Sequence, residues 1–115
     1  MQTTVTRAPV AHAVITKDVD VSDASSITEV WNPASGKRVV LIGWTLTSSA
    51  AVTLKLVAES DSAANRVVHI QVAANGGESR QLPHGAGIYF DEDENIEVLT
   101  SAAAAVKGTL YGYEV

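Results

Sequence analysis

Val40-Leu41-Ile42-Gly43-Trp44-Thr45-Leu46-Thr47 is the stretch that decides the fold. Successive side chains on a β-strand point to opposite faces. Val40, Ile42, Trp44 and Leu46 therefore fall on one face, and Leu41, Gly43, Thr45 and Thr47 on the other. Ser48-Ser49-Ala50-Ala51 then connects to a second alternation of Val52, Leu54, Leu56 and Ala58. Val68, Ile70 and Val72 repeat the pattern, and Ile96, Val98 and Thr100 repeat it more weakly. A period of two indicates half-buried antiparallel sheet, not helix. The predicted core is Val40, Ile42, Trp44, Leu46, Val52, Leu54, Leu56, Val68, Ile70 and Val98.

Outward from that stretch, short strands recur with turn signals between them. Ile27–Trp31 reads as a strand closed by Asn32-Pro33-Ala34-Ser35-Gly36. Lys37–Thr47 is the longest strand, and Val52–Glu59 pairs with it as a hairpin. Arg66–Ala73 follows a polar loop and ends at Asn75-Gly76-Gly77, which tolerates positive φ. Glu78–Gln81 and Pro83-His84-Gly85 read as loop, Gly87–Phe90 as a short strand, and Asp91–Glu94 as an acidic turn. Asn95–Ser101 and Val106–Val115 form a last hairpin around Ala102–Ala105. Four alanines favour helix but are too few to hold one. The class is an all-β sandwich or barrel.

Residues 1–26 differ from the body. Met1–Thr6 is short and polar, Pro9 argues against a central strand, and Val10–Thr16 can pair as an edge strand. The segment reads as an extended N-terminal arm, with residues 27–115 as the β domain; a frayed terminus fits the same residues.

The bulk numbers bound the function. The chain has 115 residues, one domain by size, and no cysteine, hence no disulfide or thiolate chemistry. A net charge of −5 and scattered basic residues argue against a nucleic-acid surface. No apolar run approaches the ~20 residues of a membrane span, and the N-terminus has no signal-peptide pattern. No cofactor or metal site is expected. The acidic run Asp91-Glu92-Asp93-Glu94 is a solvated turn, since adjacent carboxylates cannot all converge on one ion. Asp18, Asp20, Ser22 and Glu29 match some EF-hand spacings, but Asp23 stands where glycine is needed. Gly36-Lys37 precedes a strand where a phosphate-binding loop requires a helix. His12, His69 and His84 share no metal spacing. No catalytic set emerges.

Aromatic residues give the interface candidates instead. Trp44 belongs to the core. Trp31, beside Asn32-Pro33, anchors a loop or fills a partner's pocket. Tyr111 and Tyr113 share the face opposite Leu110, where they suit an intersubunit contact or cover the second face of a sandwich. Val10 and Val14 of the arm complete the candidate interface.

From Lys37 onward the order of features resembles small virion proteins of tailed bacteriophages. The carrying residues are Lys37-Arg38-Val39-Val40-Leu41-Ile42, Ser49-Ala50-Ala51-Val52-Thr53-Leu54-Lys55 and Val72-Ala73-Ala74-Asn75-Gly76-Gly77. Pro83-His84-Gly85, Ile96-Glu97-Val98-Leu99 and Val106-Lys107-Gly108-Thr109-Leu110-Tyr111-Gly112-Tyr113 follow in order. Capsid decoration (cement) proteins resemble this pattern best. The resemblance implies a non-enzymatic β-sandwich or jelly-roll subunit, a homo-oligomer such as a trimer, on the capsid surface of the virion. Its partner would be the major capsid protein. A tail, neck or fibre-associated role and a carbohydrate-binding β-sandwich module are the alternatives. Asp91–Glu94 departs from the family, whose members tend to have a glycine-containing turn there, and the arm lies outside the match.

Overall fold

A computed structural model describes residues 13–59, 65–83 and 85–115 of the chain. Among these residues the strands are β1 (Ile15–Val21), β2 (Thr28–Trp31), β3 (Val39–Ser48), β4 (Val52–Ala58) and β5 (Arg66–Val72). β6 (Gly77–Gln81), β7 (Ile88–Tyr89), β8 (Ile96–Thr100) and β9 (Val106–Glu114) complete them. The described residues contain no α-helix. Sheet 1 has the order β1-β9-β3-β6, with the short β7 also pairing β3, and sheet 2 has the order β2-β8-β4-β5. Every pairing is antiparallel. With β7 set aside, this is the double-sheet arrangement of a jelly roll.

The core lies between the sheets. Val39, Leu41, Trp44, Leu46, Val106 and Leu110 of sheet 1 face Trp31, Val52, Leu54, Leu56, Val68, Ile96 and Val98 of sheet 2. Trp44, Leu46, Val52, Leu54, Leu56, Val68 and Val98 sit where the period-two reading placed them, and Ile70 packs half-buried against them. Val40 and Ile42 do not. A β-bulge between Leu41 and Gly43 adds one residue to β3 against β9. One extra residue reverses the alternation. Before the bulge Val39 and Leu41 point inward; after it Trp44 and Leu46 do. Val40 and Ile42 thus belong to the outer face. Val40 is nevertheless fully buried, because Gly87 lies against Val40 and Ile42.

Neither predicted hairpin forms. β3 and β4 belong to different sheets, as do β8 and β9. Ser48–Ala51 and Ser101–Ala105 carry the chain from one sheet to the other. The Ser48 hydroxyl donates to the Ala50 carbonyl at 2.8 Å and tightens the first crossing. The alternation of β3 and β4 identifies each inward face but not the sheet that holds it. Two inward faces can be buried against one another as readily as side by side.

Two segments read as irregular are ordered parts of the sandwich. Gly77–Gln81 is edge strand β6, held by backbone pairing with β3; its polar residues carry no hydrophobic signature. Residues 15–26, assigned to the arm from sequence, also belong to the domain. β1 pairs with β9 along its length and buries Val19 and Val21. Ala24 is fully buried, donating its N–H to Ala104 and accepting one from Thr100. Of the rest of that arm, residues 1–12, with Val10, lie outside the described residues, and residues 13–14 lead into β1.

Asp91–Glu94 is an exposed turn with a definite job. The Asp93 carboxylate accepts the Gly36 N–H at 2.6 Å, and the Asp93 N–H donates to the Lys37 carbonyl at 2.8 Å. Glu94 accepts the Asp91 N–H at 3.0 Å. The acidic run therefore fastens the turn that leads into β3.

Candidate functional site: the outer face of sheet 1

Alternation along β9 turns Leu110, Gly112 and Glu114 inward and Thr109, Tyr111 and Tyr113 outward. The register continues this row across the sheet. Tyr111 is level with Gly43 of β3, and Gly43 with Gln81 of β6. Tyr113 is level with Val40, and Val40 with Tyr89 of β7. All three tyrosines of the chain therefore sit on this face. Tyr89 and Tyr113 flank Val40 from either side. Their hydroxyls share a hydrogen bond, which with partial burial holds the Tyr113 phenol above its ordinary pKa.

Val14, just before β1, completes the group. Val14, Ile42, Gly43, Gln81 and Tyr111 line a shallow cavity of about 220 Å³. Among the described residues its lining spans the breadth of the sheet, and its polar side-chain groups are the Gln81 amide and the Tyr111 hydroxyl. The bulge makes this floor by bringing Ile42 outward. Charges appear only towards the ends of the face. Asp18 and Asp20 follow Thr16 along β1, with Asp20 at 3.9 Å from Lys107. Arg38 exchanges both backbone hydrogen bonds with Val115 at the other end.

The structure thus assembles Tyr111, Tyr113 and Val14 on one surface. It does not bring Trp31 there. Trp31 is 1% exposed in the core, with its indole N–H donating to the Glu114 carboxylate at 3.0 Å. The same carboxylate accepts the Ala34 N–H at 3.0 Å, so the tryptophan anchors the Asn32–Gly36 loop. Lys17 Nζ lies 5.9 Å from the centre of the Trp31 ring, within cation–π range. The hydrogen bond from Trp31, reinforced by Ala34, Lys17 and Lys37, holds the Glu114 carboxyl below its ordinary range against the opposing effect of burial.

Sequence reading missed Tyr89 and Ile42 as members of this face. Gly43 inside an apolar strand was the available signal, because an isolated glycine there commonly marks a bulge.

The outer face of sheet 2 is different in kind. Glu29 stands directly across from Glu97, with Lys55, His69 and Gln71 on neighbouring strands. Burial, then the charges of Glu29 and Glu59, push the Glu97 carboxyl above its ordinary pKa. Glu97 Oε1 and Asn95 Oδ1 are both buried without a hydrogen-bond partner. Among the described residues no group of three or more His, Cys, Asp or Glu side chains is placed to hold a metal ion.

No family model, curated protein or solved structure matches the chain.

Proposed function

We propose that the protein is a non-enzymatic structural subunit of a tailed-bacteriophage virion, decorating and stabilising the capsid shell as a symmetric oligomer. The ordered motifs from Lys37 to Tyr113 support this reading by resemblance. The jelly-roll topology supports it by analogy, since viral capsid domains use that architecture. The observation that carries it is the outer face of sheet 1. Tyrosines and aliphatic residues there form an uncharged patch between Asp18 and Asp20 towards one end and Arg38 at the other, the composition of an interface core. A subunit that works by contact needs such a surface.

Copy number per particle and co-sedimentation with capsid shells test the proposal. Hundreds of copies, with binding to shells made of the major capsid protein, are expected. A handful to dozens of copies would assign the chain to tail, neck or fibre, and absence from purified particles would overturn the virion reading. One observation favours a second reading. Tyr111 and Gln81 in a shallow cavity could stack on and hydrogen-bond a sugar. Specific retention on a glycan array, abolished by Tyr111→Ala, would establish that reading.

A further inference from the structure

We propose that Tyr89 and Tyr113 form a covalent modification site, where a one-electron oxidant couples their rings into an internal dityrosine that fastens β7 to β9 across β3. Such a modification stands independently of the virion reading.

The register sets the two rings within reach. Tyr113 is level with Val40, and Val40 with Tyr89. Neighbouring strands lie ~4.8 Å apart, so the two backbones stand roughly 10 Å apart with β3 between them. Both rings project from the same face, and their hydroxyls meet in a hydrogen bond. Val40 points outward between them yet is 0% exposed, consistent with rings that close over it from both sides. Tyr89 cannot swing away. Its neighbour Phe90 is buried in the core and donates its N–H to the Val39 carbonyl at 2.9 Å. On its other side Gly87 is pressed so closely against Val40 that a Cβ there would stand 2.6 Å from Val40 Cγ1.

The chemistry needs only an oxidant. Each phenol gives up one electron and its hydroxyl proton and becomes a phenoxyl radical, with spin on the ring carbons ortho to the oxygen. Two ortho carbons join in a carbon–carbon bond. The hydrogens on those carbons then move through solvent to the phenol oxygens, which restores both rings. The chain loses two hydrogen atoms in all. With hydrogen peroxide as oxidant, acting through a haem peroxidase, one peroxide is reduced to two waters.

The rest of the chain leaves this route open. Cysteine, which would take up the radicals, is absent. Trp31 and Trp44 are buried, each with its indole N–H bonded to a carboxylate. Tyr89 is 59% exposed and is the entry point for the oxidant. Tyr111 is level with Gly43, and Gly43 with Gln81, so it has no phenol across the sheet. A pair already in contact couples in an effectively unimolecular step. Radicals on separate chains, each at net −5, must first collide against their mutual repulsion.

Oxidation of the full chain by peroxidase and hydrogen peroxide over a dilution series tests this. The expected product is a 12.0 kDa species with blue dityrosine fluorescence and a mass reduced by two hydrogens, in a yield independent of protein concentration. Proteolysis should release one peptide that joins Tyr89 to Tyr113. Tyr89→Phe and Tyr113→Phe should each lose the product, and Tyr111→Phe should retain it. Phenylalanine keeps the ring beside Val40, and the peptide map of the wild type decides the linkage even where a variant misfolds. Four outcomes would overturn the inference: dityrosine only between chains, an internal link through Tyr111, oxidation of Tyr89 without coupling, or no dityrosine under conditions that couple free tyrosine.

Discussion

The indole N–H of Trp31, in sheet 2, donates to the carboxylate of Glu114, at the end of sheet 1, across 3.0 Å. The two residues are 83 positions apart, and their bond ties the sheets together at one end of the sandwich. It also gives the one polar atom of a buried indole its partner.

Removing that partner should be costly. Glu114→Ala leaves the Trp31 N–H buried and unpaired and frees the Ala34 N–H. The expected loss is about 1–3 kcal/mol, the penalty for an unsatisfied buried donor. Chemical denaturation at neutral pH measures it. The pH dependence has a definite sign. The folded-state pKa of Glu114 lies below its ordinary 4.5, so the unfolded chain binds more protons in the window just below that value. Glu114 therefore contributes stability above pH 4.5 that is lost as pH falls through the folded pKa. The difference between wild type and Glu114→Gln should shrink across that window.

Glu97 should behave in the opposite sense. Its folded-state pKa lies above the ordinary 4.5, because burial and the nearby Glu29 and Glu59 disfavour its charge. The folded state then binds more protons from pH 4.5 up to the raised value, and stability falls as pH rises through that window. Glu97→Gln removes the charge, so its melting temperature should exceed that of the wild type at neutral pH. The two should converge near and below pH 4.5. A variant less stable than the wild type at pH 7 would contradict this account.

Leu54 is fully buried at the centre of sheet 2. Leu54→Ala should cost about 2–5 kcal/mol, the range for a truncated core leucine that leaves a cavity. A shift in the urea midpoint with unchanged slope would identify a stability effect without a change of fold.

Gly112 has no room for a side chain. A Cβ there would run into the Val40 carbonyl and stand 2.9 Å from the Trp31 ring. Gly112→Ala must displace either the β3 backbone or the indole, and should destabilise by about 1–3 kcal/mol, the usual cost of overpacking. Near-ultraviolet circular dichroism would follow the Trp31 environment directly, and an unaltered tryptophan signal with unaltered stability would refute the contact.

The local alternation was legible in the sequence because it reports only which residues share a face. That was enough to identify the all-β class, the boundaries of β4 and β5 within a residue or two, and the burial of Leu54, Leu56, Trp44 and Leu46. It was enough to turn Tyr111 and Tyr113 away from Leu110. It could not say which sheet a strand joins, because a period of two is the same in either. The crossings at Ser48–Ala51 and Ser101–Ala105 are settled by packing two apolar faces against each other. Nor could periodicity register one extra residue at the bulge beside Gly43, which reverses Val40 and Ile42 and makes the floor of the tyrosine face. Trp31 looked like a residue for a partner because its own neighbours, Asn32 and Pro33, are turn formers. Its actual neighbours, Glu114 and Gly112, come from the far end of the chain, and only the closed sandwich brings them to it.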